Sequence, residues 1–479
     1  MPSPHKLITH PRHHAQRWQH AQRGAVLMVM LVIMVVGSTT VLVNSLNAND
    51  LKIARQQQTV AALAKAKDAL IGYATAVKLA RTCTGNNCAR PGDLLCPDTD
   101  NDGDAESSCG NADGSTGQAA RLGRLPWKTL GIPDLRDGNG ERLWYAVSNN
   151  YKNNTRSTNI LNGDTPGTLT VRDMGGSILY NGLTTTGTGA VALIISPGAV
   201  LQRLGATSPQ NRSCTIGVNC DATEKCLTSP ASSTPKCNPI NYLDIANSED
   251  NAAFADSTEN GFIQGIIRDN AGNTILNDQL LTITQDDMMY VIQNRVAAEV
   301  RQCLVAYAAA NNGRYPWPAH VDETFPTYSD KQNNLFGRIP DNLDQTNSTS
   351  STTMNDRWPA SCNTHERVDG NNVPAAWWNN WKELVFYGLA DAYKPALSGT
   401  AFTPCSTAGA CLTVNSLSTN ANVKFVVIVA GPALSGQVRS TSTDKKTPSN
   451  YLEGSNSAGG TVFTDQPSSA TFNDVLTSE

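Results

Sequence analysis

Histidine is almost absent from this chain outside its first twenty residues: of seven, only His320 and His365 lie beyond His20. That scarcity argues against a histidine-based catalytic triad, and there is no HExxH, GxSxG or phosphate-loop signature. No CxxC pair occurs among the twelve cysteines, so the usual ligand spacing of a structural zinc site is missing. Charge is sparse as well, at 16% of residues, while Asn, Thr, Ser and Gly are plentiful. Residues 1–24 hold no Asp or Glu but carry Lys6, Arg12, Arg17 and Arg23; without them 33 basic residues face 41 acidic ones. An acidic body has no basic footprint with which to neutralise phosphates, so no nucleic-acid partner is expected.

What is present points outward. A chain of 479 residues with 39% hydrophobic content has material for two or three domains with real cores. The polar, weakly charged composition suits a loop-rich, extracytoplasmic β protein. The even cysteine count suits disulfides in an oxidising compartment. The cysteines fall close together as Cys83 and Cys88, Cys96 and Cys109, Cys214 and Cys220, Cys226 and Cys237, Cys405 and Cys411, with Cys303 and Cys362 further apart. Spacing alone leaves their connectivity open.

Every residue from Ala25 to Val36 is apolar, and the tract resumes at Val41 after Gly37, Ser38, Thr39 and Thr40. Ala25 to Val43, at about 1.5 Å per residue, nearly crosses a hydrocarbon layer of about 30 Å. With the basic residues before it, the body is expected outside the cytoplasm. Leu51, Ala54, Val60, Leu63, Ala66, Leu70 and Tyr73 then recur near helical spacing. The expectation is one long helix over 25–80, its first half (25–43) membrane-spanning and its second amphipathic. A cleaved secretory signal, a plain anchor and a transmembrane sensor are competing readings of the same tract.

The stretch HAQRGAVLMVMLVIMVVGSTT resembles the class III signal of type IV pilins and type II secretion pseudopilins. The resemblance implies a basic leader over 1–24, cleavage by a prepilin peptidase after Gly24, and a mature, N-methylated terminus at Ala25. It also implies residence in the bacterial inner membrane with the body in the periplasm. Assembly with other pilins or pseudopilins through the apolar segment would then carry the body to the cell surface or a filament tip. Two positions depart from the family: Ala25 replaces the usual Phe, and Val29 the usual Glu. In the family that Glu neutralises a neighbour's terminal amine within the apolar fibre core, where an unpaired charge is costly. Its lack fits a tip or low-copy subunit better than a shaft subunit.

Six matches recur in order along the chain. They pair ALIGYATA (69–76) with CLVAYAAA (303–310), GRLP at 123 with GRIP at 337, and LWYAVSNNY (143–151) with VFYGLADAY (385–393). ALIISPGAV (192–200) pairs with VVIVAGPAL (426–434), NYLDIANSEDNAAF (241–254) with NYLEGSNSAGGTVF (450–463), and LND at 276 with FND at 472. The expected fold is therefore α+β: the long N-terminal helix over 25–80, then two tandem pilin-like modules at 81–284 and 285–479. Each would be a helix packed on a small antiparallel sheet with long disulfide-rich loops.

CPDTDNDGDAESSC (96–109) holds the D-x-D-x-D-G opening of a calcium loop, with Asp98, Asp100, Asp102 and Asp104 as candidate ligands and Glu106 as a further one. Cys109 stands where an EF-hand loop has its bidentate Glu. A structural Ca2+ and a bare acidic turn both fit. Asp244 and Glu453 occupy matched positions and read as fold-defining acceptors rather than ligands. Trp377 and Trp378, with Trp381, form either core or a platform for sugar rings. The leading expectation is a non-enzymatic pilin- or pseudopilin-like subunit; the alternative is a membrane-anchored adhesin or glycan-binding protein.

Overall fold

The computed structural model describes residues 48–79, 83, 88–183, 187–323, 327–349, 354–368, 371–395, 404–405 and 410–479. Gly24, Ala25 and the apolar tract 25–43 lie outside the described residues. Residues 59–479 form one compact unit, and the described residues 48–58 belong to a second.

The fold is mixed α/β, with four α-helices among the described residues. The first, α1, spans Ala48–Ala76. It corrects the expectation of a membrane-spanning N-terminal helix: no helix among the described residues is long and apolar enough to cross a membrane. The physical reason lies in α1's composition. Asp50, Lys52, Arg55 and Gln56 to Gln58 face water, and only one stripe, Thr59, Ala62, Leu63, Ala66, Leu70 and Ala74, is buried. The second helix, α2, spans Gln285–Ala309 and starts at a capping box. Thr284 Oγ1 accepts from Asp287 N at 3.2 Å, and Asp287 Oδ2 accepts from Thr284 N at 2.8 Å. Lys67 of α1 pairs with Asp287 at 2.8 Å, tying the two helices together.

Between the helices run β1 (Leu122–Arg124), β2 (Trp144–Val147), β3 (Val171–Arg172), β4 (Ile178–Tyr180) and β5 (Ala192–Ser196). They are followed by β6 (Ile245–Ala246), β7 (Glu249–Asp250), β8 (Phe262–Ile263), β9 (Ile267–Arg268), β10 (Thr274–Leu276) and β11 (Gln279–Ile283). After α2 come β12 (Phe336–Arg338), β13 (His365–Val368), β14 (Asn371–Pro374), β15 (Val385–Leu389), β16 (Leu412–Asn415) and β17 (Asn420–Val423). The last are β18 (Phe425–Val429), β19 (Val462–Thr464) and β20 (Val475–Ser478).

Two four-stranded antiparallel sheets share one plan, β1-β2-β5-β11 and β12-β15-β18-β20. Beside each lies a three-stranded sheet, β4-β3-β8 and β17-β16-β19, in which β3–β8 and β16–β19 are the parallel pairs. Alternation along β2 puts Tyr145 and Val147 toward α1 and α2, and Trp144 and Ala146 on the opposite face. Tyr145, Ile194, Tyr387 and Val427 join Leu70 and Leu304 in a single core, which continues across residues 284 and 285. Gly123 and Gly337 lie where a neighbouring strand crosses: an added Cβ would meet Asp98 O at 2.5 Å and Ala319 O at 1.7 Å. No side chain fits at either position.

Strand register also revises two of the sequence pairings. Trp144 faces Ile195 and Phe386 faces Ile428, which sets Ile195 level with Ile428; the pairing of 192–200 with 426–434 is one residue out. The residue matching Asn456 is Asn251, not Asn247. Asn456 and Asn251 are buried and bond the carboxylates of Asp474 and Asp278, at 2.9 and 2.8 Å, whereas the Asn247 amide reaches only Met174 O. The cause is the β6–β7 hairpin, which lengthens the first half between Asp244 and Asn251.

Candidate functional site

The acidic turn is built by a crossing and a clamp. The Cys96–Cys109 disulfide closes it, and the Asp98 backbone exchanges two hydrogen bonds with Arg124 of β1, at 2.9 and 2.6 Å. Asp98 is buried, its Oδ1 accepting from Asn101 N at 2.6 Å and its Oδ2 from Gly103 N at 2.8 Å. Burial, together with the charges of Asp100 and Asp102, pushes its carboxyl up to about 7. Gly103 turns at φ +89°, where an added Cβ would strike the Trp127 indole at 2.6 Å.

Of the five candidate calcium ligands, three converge: one oxygen each from Asp98, Asp100 and Glu106 lies within 4.8 Å of the others. Glu106 Oε1 also accepts from Thr99 N at 3.2 Å and Thr99 Oγ1 at 2.5 Å. Asp102 and Asp104 do not join them. Asp104 turns outward to Thr129 Oγ1 at 3.2 Å. Asp102 is held by Lys225 Nζ at 2.7 Å, which also reaches Asp100 Oδ2 at 3.0 Å. Burial is the largest single influence on Asp102 and works against its charged form, but the Lys225 hydrogen bond, the Asp104 amide and the Lys225 and Lys128 charges together outweigh it and keep that carboxyl below the usual range. An ammonium thus sits on the turn for which a divalent cation and a bare acidic turn were the two readings. These oxygens could complement a hard cation only where Lys225 does not already pair them.

Lys225 arrives on the cysteine-rich segment 214–237, which docks on the turn through Cys226 N to Asp100 O at 2.7 Å and Asn101 Nδ2 to Glu224 O at 2.9 Å. No local pattern links it to Asp100, more than a hundred residues earlier. Lys225→Ala is expected to lower the stability in EDTA by about 0.5–1 kcal/mol, the ammonium being over a third exposed. Millimolar calcium should then restore it, with a smaller response in the wild type. Scanning calorimetry with EDTA and with calcium decides this; equal responses would mean Lys225 does not control the turn's cation affinity.

Five disulfides are formed: Cys83–Cys88, Cys96–Cys109, Cys226–Cys237, Cys303–Cys362 and Cys405–Cys411. Cys214 and Cys220 are not joined, although they pack beside Cys226 and Cys237 and burial raises the Cys220 thiol.

Trp377 and Trp378 are wholly buried, as is Trp381, so they offer no exposed platform to a sugar. Trp377 Nε1 donates to Asn363 O at 2.9 Å, and the ring packs edge-on to Trp378. A run of three tryptophans reads the same in sequence whether it faces solvent or core. Nearby, Asp341 holds Lys382 at 2.8 Å and His365 at 3.4 Å, all three buried.

Asp244 and Glu453 cap the chain from matched places. Asp244 Oδ2 accepts from Asn277 N at 2.9 Å while Asp278 Oδ2 accepts from Asp244 N at 2.8 Å. Glu453 Oε2 and Asp474 Oδ2 make the same exchange, at 3.1 Å from Asn473 N and 3.0 Å from Glu453 N. Comparison with protein-family models, curated proteins and solved structures finds no match to this chain.

Proposed function

We propose that this chain is a non-enzymatic, low-copy subunit of an extracytoplasmic filament of the type IV pilus or type II secretion kind, joined to similar subunits through its apolar N-terminal segment. One observation carries the reading: the basic leader ends at Gly24, directly against the unbroken apolar run Ala25–Val36. Five disulfides support an oxidising compartment, the periplasm or beyond. Val29, in the place of a fibre-core carboxylate, favours a tip position over the shaft. The perturbed carboxyls Asp244, Asp278 and Asp474 each accept from a backbone amide through one oxygen, which favours a structural use of their chemistry over a catalytic one. The partners would be pilin-type subunits, a prepilin peptidase and the inner membrane.

Mass spectrometry of the mature protein tests this. A methylated Ala25 at the N-terminus is expected, and deletion of the protein should reduce pili or secretion. A chain retaining residue 1 and its basic leader overturns the reading.

A further inference from the structure

Asp341, Lys382 and His365 meet in the second half where almost no water reaches: their side chains are 3%, 1% and 1% exposed. Lys382 Nζ lies 2.8 Å from Asp341 Oδ2, which also accepts from Tyr328 N at 3.1 Å. His365 Nε2 lies 3.4 Å from the other carboxyl oxygen, Oδ1; an ionised carboxylate only accepts, so that nitrogen carries the proton. Aromatic rings enclose the group. Trp358 stacks on the His365 ring at 5.1 Å, Trp378 lies 6.4 Å from it, and Lys382 Nζ sits 5.8 Å from the Tyr328 ring.

The plan shared by the two halves does not call for this group. Asp341 follows GRIP where Trp127 follows GRLP. Strand register sets Phe386 level with Trp144; Lys382 stands four residues before the one, and Gly140 four before the other. The first half builds the same sheet without either charge.

A buried ion pair is a costly way to hold two segments together, because both charges give up hydration and their attraction offsets only part of it. Burial works against the charge on Asp341, but His365 and Lys382 outweigh it and hold the carboxyl below its usual range, so the ion pair is the starting state. An ammonium and a carboxylate free in water do not condense, since water is in excess and each ion is well solvated. Here the two groups are held in contact, which for well-oriented partners corresponds to an effective concentration of about 10⁵ M or more. The site is also dry, so the neutral product is favoured over the two charges.

We propose that Lys382 and Asp341 are joined by an intramolecular isopeptide bond, Nζ to Cγ, formed with loss of one water. The ammonium passes a proton to Asp341 Oδ2 along their hydrogen bond, and the freed amine attacks Cγ. A second amine proton follows to the same oxygen, which departs as water. Oδ1 stays as the amide oxygen, accepting from His365 Nε2. One C–N bond forms, one C–O bond breaks, and nothing is oxidised or reduced. The link closes the excursion of chain between β12 and β15 at its base, while Cys303–Cys362 pins the middle of that excursion to α2. The assignment does not rest on the filament reading.

High-resolution mass spectrometry of the purified full chain, with its disulfides reduced, tests this. The chain should be lighter than its sequence by one water. A tryptic digest should contain one branched peptide in which Lys382 is uncut and carries the segment with Asp341. Lys382→Arg keeps a cation beside Asp341 and should show the full mass; a deficit that persists in it overturns the proposal. So does a wild-type chain of full mass that yields Asp341 and Lys382 in separate peptides, or a missing water that maps to a cyclic imide at an Asp-Gly pair. The wild-type digest decides by itself, even where the variant does not fold.

Discussion

Asp474→Asn is expected to stabilise the protein at pH 8.5 by about 2–4 kcal/mol and to change little near pH 4. Asp474 is buried; its Oδ2 accepts from Glu453 N and Asn456 Nδ2, but its Oδ1 has no partner. Burial first, and the neighbouring Glu453 charge second, push its carboxyl up to about 8. The unfolded chain releases that proton near the ordinary value of 3.8, so the raised native value makes stability greatest below pH 4. It is then lost progressively until the native group ionises near pH 8. An asparagine has the shape of the protonated acid and cannot ionise, so it preserves at alkaline pH what the wild type loses. The first half should respond in the same direction: Asp278→Asn removes a carboxyl that burial and Asp244 raise well above its ordinary range, while Asp244 itself is pushed up to about 6. Melting temperatures at the two pH values settle it. An equal shift at both would show that geometry, not charge, is what the substitution changes.

The pairing of GRLP with GRIP and of LWYAVSNNY with VFYGLADAY was readable because each run serves one strand edge whose glycine admits a crossing backbone and whose tyrosine points into the core. Tyr145 and Tyr387 even donate to equivalent carbonyls, Leu95 O at 3.1 Å and Pro316 O at 3.2 Å. The slip at 192–200 was not readable, because a strand apolar on both faces carries no alternation to fix its phase. Matching without gaps likewise placed Asn247 where Asn251 belongs, since the intervening β6–β7 hairpin has no counterpart to reveal the insertion. At the acidic turn the local pattern supplied all five carboxylates but not Lys225, whose arrival depends on how a distant cysteine-rich segment folds. The expected helix over 25–80 joined an all-apolar tract to an amphipathic one on periodicity alone; α1 belongs to the amphipathic part.

Arg439→Met and Arg212→Met should each destabilise the protein by about 3–5 kcal/mol, and by similar amounts, because the two arginines hold equivalent carbonyls. Arg439 Nε donates to Asn450 O at 2.7 Å, Nη1 to Gly431 O at 2.9 Å and Nη2 to Gln437 Oε1 at 2.9 Å; its guanidinium lies 4.6 Å over the Tyr451 ring. Arg212 donates to Asn241 O at 3.0 Å, Gly198 O at 2.9 Å and Gln210 Oε1 at 2.8 Å, 4.6 Å over Tyr242. In each half the glutamine passes the connection on, to Glu453 at 2.7 Å or Asp244 at 3.0 Å. The fork therefore links the end of one sheet strand, the Asn-Tyr turn and the carboxyl pair in one network, and a methionine leaves its backbone acceptors unmet. Lysine should not rescue either site: one ammonium cannot span three acceptors arranged for a planar fork while stacking on a ring. Urea unfolding of the four variants checks this. If Arg→Lys retained wild-type stability, charge alone would suffice. If Arg212→Met were costly and Arg439→Met neutral, the matching geometry of the two halves would not reflect matching energetic roles.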